Sequence, residues 1–159
     1  MSKTKDIGKR SVWIYAFVAQ TLLNATLSVC VSSLFIAYRN WHNGAQLCFA
    51  IGYCFFTVFY SFKLIRFFVK RNPNCVPLGM SYLLGSLVVA ASIALFLLGD
   101  DSCFVFLGFA VWFVFWLLFL YMSKSVEAIF PLNSRIIRKR DILPAFLIGL
   151  FPSMLLLIN

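Results

Sequence analysis

Charged and metal-binding side chains are scarce in this chain. Only 12% of its 159 residues are charged, and it contains five acidic residues and one histidine. A soluble domain has about 25% charged residues, so the composition excludes a soluble globular protein. A metal centre or an acid–base catalytic site would have very few side chains from which to be built.

Known catalytic motifs are missing as well. The sequence has no nucleophile elbow, Walker loop, zincin helix or dinucleotide-binding fingerprint. Its five cysteines form no Cys-x-x-Cys pair, which removes the redox-active arrangement of thiol oxidoreductases. We therefore expect a protein that is not an enzyme, with no catalytic residues, no cofactor and no metal ion.

Hydrophobic residues are abundant instead, at 62% of the chain, and they lie in five long intervals almost devoid of charge. A helix needs about 20 apolar residues to cross a hydrocarbon core of about 30 Å. Continuous apolar runs in lipid form helices because every backbone amide needs an internal partner. The sequence thus predicts one all-α domain, residues 1–159, a polytopic transmembrane helix bundle. Its predicted spans are 12–37, 45–62, 79–99, 103–122 and 142–158.

The fifth predicted span is marginal. It is short and contains Pro144, Gly149 and Pro152, so it either crosses the bilayer or re-enters on the same side.

The basic residues set the orientation of the protein in the membrane. Alternating spans place thirteen of the fourteen on one side, while the turn between spans 3 and 4 holds Asp100 and Asp101. The positive-inside rule puts the amino terminus in the cytoplasm, and five spans put the carboxyl terminus outside.

The net charge of +9 does not indicate a nucleic-acid partner, because it is divided among short segments that abut spans, as insertion topology requires. Anionic lipid headgroups on the cytoplasmic side are the expected partners. The longest loop, from Ser123 to Asp141, is predicted to form a short amphipathic surface element. Lipid or protein contacts there are assigned to Arg135, Arg138, Lys139 and Arg140.

One helix face of span 1 is polar. Gln20, Asn24, Ser28 and Ser32 follow one another at intervals of four residues and form an intramembrane polar stripe. The sequence leaves two readings open. The stripe is either a seam where helices hydrogen-bond to one another or a lining for a solute path or partner. Span 4 is rich in aromatic residues, which indicates lipid contact, an aromatic belt or a partner-binding face.

These features favour a small multi-pass inner-membrane protein that binds another integral membrane protein, or itself. Its size and topology fit bacterial immunity or exclusion proteins and accessory subunits of membrane complexes, an analogy that does not depend on particular residues. The alternative is a small channel or transporter subunit that works as an oligomer, with Gln20 and Asn24 facing the pore. Transport coupled to protons is disfavoured because no charge lies deep in a span.

Overall fold

The computed structural model describes residues 3–38, 44–101, 103–127, 129–130 and 139–157, and these residues fold into helices. Four helices are long and apolar enough to cross a membrane, which confirms the predicted helical membrane bundle. They are listed here by their bounds: α1, Lys3–Tyr38; α2, Gly44–Val69; α3, Cys75–Phe96; and α4, Cys103–Met122.

The four long helices run up and down, with α1 packed on α2 and α3 packed on α4. We call one end of the bundle the aspartate end, because Asp100 and Asp101 lie there in the turn between α3 and α4. Gly99 permits this turn with a φ of 101°. The opposite end is the basic end, where Lys63 and Arg66 project from the last turns of α2 and are exposed.

Beyond α4, the chain forms a four-residue helix α5, Lys124–Glu127, and later a C-terminal helical segment that packs against α2 and α3. This segment consists of α6 (Ile142–Ala145), a π-helical turn (Phe146–Leu150) and α7 (Phe151–Leu157). From 142 to 157 it would extend roughly 24 Å at 1.5 Å per residue, less than the ~30 Å hydrocarbon core. A complete fifth crossing therefore stays a prediction.

Proline explains the π-helical turn. The backbone N–H of Phe151 donates to the carbonyl of Phe146, five residues earlier. The next residue, Pro152, has no N–H to continue the ordinary ladder, and a wider turn accommodates the interruption.

Several helix ends differ from the predicted spans; for example, α1 begins at Lys3 rather than 12, and α3 ends at Phe96 rather than 99. The sequence also predicts that the stretch from Lys63 to Lys70 continues the helix of span 2, with its basic side chains reaching toward the interface, and α2 continues to Val69. Helix α3 begins at Cys75 rather than 79. The predicted break extended through Pro77, but proline is tolerated in a first turn, where its missing N–H needs no partner. Cys75, expected in a loop, is instead fully buried.

Aromatic side chains hold α1, α2 and α4 together at the basic end. The ring of Trp13 lies 6.0 Å from Phe68 and 6.3 Å from Phe130. Phe17 lies 5.0 Å from Phe68 and 5.3 Å from Trp116. All five side chains are buried, and such offset and edge-on contacts add to the stability gained from close packing.

Two glycines bring the C-terminal segment into backbone contact with α3. A Cβ atom added to Gly149 would lie 2.9 Å from both Cα and the carbonyl oxygen of Gly85. One added to Gly85 would lie 2.9 Å from Cβ of Ile148. Small residues permit this approach, as is common where helices associate in membranes.

Candidate functional site

The polar stripe of α1 lies inside the bundle. Gln20, Asn24, Ser28 and Ser32 are 7%, 3%, 0% and 4% exposed. Three of the four hydrogen-bond to other helices, and only Ser28 donates within α1, to the carbonyl of Ala25 at 2.7 Å. The stripe is therefore a set of contacts within one copy of the chain.

Asn24 is the centre of this network. Its Nδ2 donates to the hydroxyl of Tyr82 at 2.8 Å and to the hydroxyl of Ser86 at 2.9 Å, both on α3. The Tyr82 hydroxyl is also 2.8 Å from the hydroxyl of Ser61 on α2. Four side chains from three helices thus meet near the middle of the bundle.

The donor and the acceptor can be assigned in each hydrogen bond from Asn24 through Tyr82 and Ser61 to Thr57. Ser61 donates its only proton to the carbonyl of Thr57 at 2.7 Å, so it must accept the proton of Tyr82. Tyr82 then has none left and must accept from Asn24. This requirement fixes the orientation of the Asn24 amide, because only its nitrogen can face Tyr82.

The other stripe residues reach α2 and α4. Ser32 donates to the backbone carbonyl of Ala50 on α2 at 2.9 Å. The carbonyl oxygen of Gln20 accepts a 2.7 Å hydrogen bond from the indole nitrogen of Trp112 on α4. Polar groups in hydrocarbon are costly when unpaired, so these bonds specify which helices lie next to α1.

Sequence reasoning identified Asn24 but missed its main partner. Tyr82 is 1% exposed and lies among aliphatic residues of α3, where a single tyrosine gives no periodic signal. The sequence does predict that spans 1, 2 and 3 meet through small and polar faces, with Ser61 on span 2 and Ser86 on span 3, and both residues belong to the network. The available signal was chemical: a hydroxyl in hydrocarbon needs a partner, and few polar partners exist in this chain.

An open groove runs along α1 and α2 in their aspartate-end halves, with a volume of about 630 Å³. Small side chains line part of it: Ser32 and Ser33 of α1, and Ala50 and Cys54 of α2. Phe55 and Phe59 also line the groove; their rings stack 6.3 Å apart and are 62% and 52% exposed. We call this surface the α1–α2 groove.

Most of α4 faces outward. Only 17% of its apolar window is buried within the protein, and Phe113, Trp116 and Leu120 are the described residues of α4 that point into the core. Exposed side chains such as Phe115 and Val111 cover the other side.

The predicted cytoplasmic contact residues are described only in part. Arg135 and Arg138 lie outside the described residues. Lys139 is exposed in a 3₁₀ turn, Lys139–Asp141, which also contains Arg140. Asp100 and Asp101 are exposed in the turn at the aspartate end.

Among the described residues, no three His, Cys, Asp or Glu side chains form a group able to hold a metal ion. No family model matches this chain, and neither curated proteins nor solved structures include a similar one at a significant level. The geometry of the bundle itself is therefore what points to a function.

Proposed function

We propose that this protein acts without catalysis, by binding a transmembrane helix of another integral membrane protein in the α1–α2 groove. The observation that carries the proposal is the shape and composition of that groove: a recess of about 630 Å³ lined partly by serine, alanine and cysteine and flanked by exposed aromatic rings.

The lining of the groove suits a helix better than a loose lipid chain. Membrane helices associate where small residues let backbones approach and where hydroxyls can hydrogen-bond across the interface. Ser33 is exposed and lies in the groove, where its hydroxyl would meet the backbone of an incoming helix. Phe55 and Phe59 supply aromatic anchors at the edge, the residue type that contributes most to many interfaces.

The location of the polar stripe supports binding over transport. A pore formed between copies requires Gln20 and Asn24 on the outer surface of each copy. Both are buried, and their hydrogen bonds join α1 to α4 and α3 of the same copy. Turning them toward a pore would leave Trp112 and Tyr82 without these partners.

We further propose a bacterial inner-membrane location with the basic end and the amino terminus in the cytoplasm, because basic residues concentrate at that end. The role that best fits a small bundle with little exposed polar surface is that of an immunity or exclusion protein or an accessory subunit. The basic end would also contact anionic headgroups there.

Photocrosslinking in living cells tests the groove. A photoreactive amino acid at Ile51, which lines the groove and is 54% exposed, should yield one discrete protein adduct. The same probe at Val111 of α4, 70% exposed, should yield only lipid adducts. Ser33→Phe, which fills the groove, should abolish the Ile51 adduct without lowering the amount of protein in the membrane.

Three results would contradict the proposal. One is an Ile51 adduct that survives Ser33→Phe unchanged. A second is an adduct with another copy of the same chain, which would make the groove a self-association site. The third is solute flux through vesicles containing only this protein that disappears in Gln20→Leu, which would favour the channel alternative.

A further inference from the structure

A second cavity lies between the four long helices in the aspartate-end half of the bundle. Its volume is about 310 Å³, at the lower end of the range for ligand pockets. Aliphatic and aromatic side chains form most of its wall, and Asn24, Ser86 and Tyr53 are the lining residues that carry an amide or hydroxyl group. Cys30 and Val105 line it and are exposed, so it opens between α1 and α4. We call it the α1–α4 cavity.

Among the described residues, the aromatic and hydrogen-bond contacts between α1 and α4 lie nearer the basic end than the cavity. Phe17 contacts Trp116 there, and Gln20 bonds to Trp112. Beyond Gln20 along α1, the cavity occupies the space between α1 and α4. Membrane-facing apolar space of this kind does not hold water in bulk, since a water molecule needs two to four polar partners.

Asn24 presents a single acceptor to this space. Both of its hydrogen bonds are donated by Nδ2, and the proton order from Tyr82 to Ser61 keeps that nitrogen in place. Its carbonyl oxygen, Oδ1, accepts no hydrogen bond within the described residues, although the side chain is only 3% exposed and lines the cavity. An acceptor that borders apolar space without a donor is unfavourable.

We propose that the α1–α4 cavity binds a small, mostly apolar molecule carrying one hydroxyl, which donates to Oδ1 of Asn24. A water at this oxygen would fill about 30 Å³ of the roughly 310 Å³, leaving the apolar walls uncovered. An unsubstituted acyl chain would cover the walls and leave Oδ1 unpaired. A hydroxylated hydrocarbon satisfies both.

The rate at which native cysteines react with a maleimide reports whether the α1–α4 cavity is occupied. Cys30 lines the cavity, whereas Cys48 is exposed on α2 away from it. The purified full-length protein would be treated with an apolar maleimide, and modification of each cysteine measured by mass spectrometry. Decan-1-ol is the probe, and 1-methoxynonane, with the same number of heavy atoms but no donor, is its matched control.

We expect decan-1-ol to slow modification of Cys30 and not of Cys48. Because the ether cannot donate to Oδ1, its half-protecting concentration should be about tenfold higher. Val105→Trp obstructs the exposed mouth and should raise the half-protecting concentration of decan-1-ol by at least about tenfold. Leu107→Trp, on the same helix but outside the cavity lining, should leave it unchanged.

If the alcohol and the ether protected Cys30 equally, Asn24 would have no role in binding and the cavity would bind hydrocarbon through its apolar walls alone. Absence of protection at Cys30, equal protection of Cys48, or equal responses of the two tryptophan variants would overturn the binding site itself. Both mutated positions are exposed, so folding should survive, and the modification rate of Cys48 checks this in each sample.

Discussion

Helices α3 and α4 are neighbours of similar length, yet the more hydrophobic of the two, α4, is the less buried. Within their apolar windows, 67% of α3 and 17% of α4 is buried inside the protein. Helix α4 has no serine, threonine, asparagine or glutamine, whereas α3 has three serines and two glycines. The more apolar helix is the one left facing outward.

This contrast shows what places a helix at the centre of a membrane bundle. Lipid is as apolar as leucine, so hydrophobicity gives no preference for the interior. Small residues that permit close backbone contact and hydroxyls that need partners do give one. In α3 these are Gly85, which meets the C-terminal segment, and Tyr82 and Ser86, which meet α1.

The largest effect should come from adding one methyl group to α3. Gly85→Ala places a Cβ 2.9 Å from Ile148 and 3.2 Å from backbone atoms of Ala145, which overpacks the contact and should cost about 2–3 kcal/mol of unfolding free energy. Gly108→Ala on α4, with nothing within 4 Å of the new atom, should be neutral or stabilise by up to about 1 kcal/mol. Equal losses would remove the distinction between the two helices. Titration with a denaturing detergent measures both.

Removal of one hydroxyl should have the next largest effect. Tyr82→Phe deprives Asn24 of an acceptor and Ser61 of a donor, so we expect a loss of about 1–2 kcal/mol. Tyr15→Phe on α1, where the side chain is 72% exposed, is the matched control and should change little. If the two losses were the same, the polar network would contribute nothing specific.

A smaller loss, about 0.5–1 kcal/mol, is expected for Trp112→Phe, which removes the indole donor to Gln20. In a Gln20→Leu background the same change should have almost no effect, because the bond is already absent. A double-mutant cycle of unfolding free energies measures this coupling. Additive losses would indicate that the bond contributes no stability.

The smallest effect belongs to the outward face of α4. Val111 is 70% exposed, and Val111→Ala should change the unfolding free energy by less than about 0.5 kcal/mol. A loss above about 1 kcal/mol would mean that this face is covered by protein, for example by a second copy. Measurement at two protein concentrations separates that case from a monomeric one.

The sequence predicted some parts of this fold much better than others. The bounds of α4 were predicted as 103–122, as observed, because charged or polar turns limit the apolar run on both sides. The start of α3 was displaced from 79 to Cys75, because a first-turn proline is compatible with a helix. Contact between Gly85 and Gly149 left no periodic signal, since it joins residues far apart in the chain.

The candidate site was predictable in position but not in its connections. Intervals of four residues placed Gln20, Asn24, Ser28 and Ser32 on one face of α1, and the structure places all four inside the bundle. Their partners depend on how the helices are arranged around one another, which one-dimensional spacing does not contain. The α1–α2 groove and the α1–α4 cavity are likewise spaces between helices, so only coordinates reveal them.

The contact between Gly85 and Gly149 has a consequence for biogenesis. Since neither residue has a side chain, the backbones of α3 and the C-terminal segment meet directly, and a Cβ atom at either position would force its neighbours to move. Helices α1 to α4 are synthesised before this segment, which therefore packs against α2 and α3 as a later addition. The C-terminal segment thus completes the bundle by packing against α3 and α2, the helices made before it.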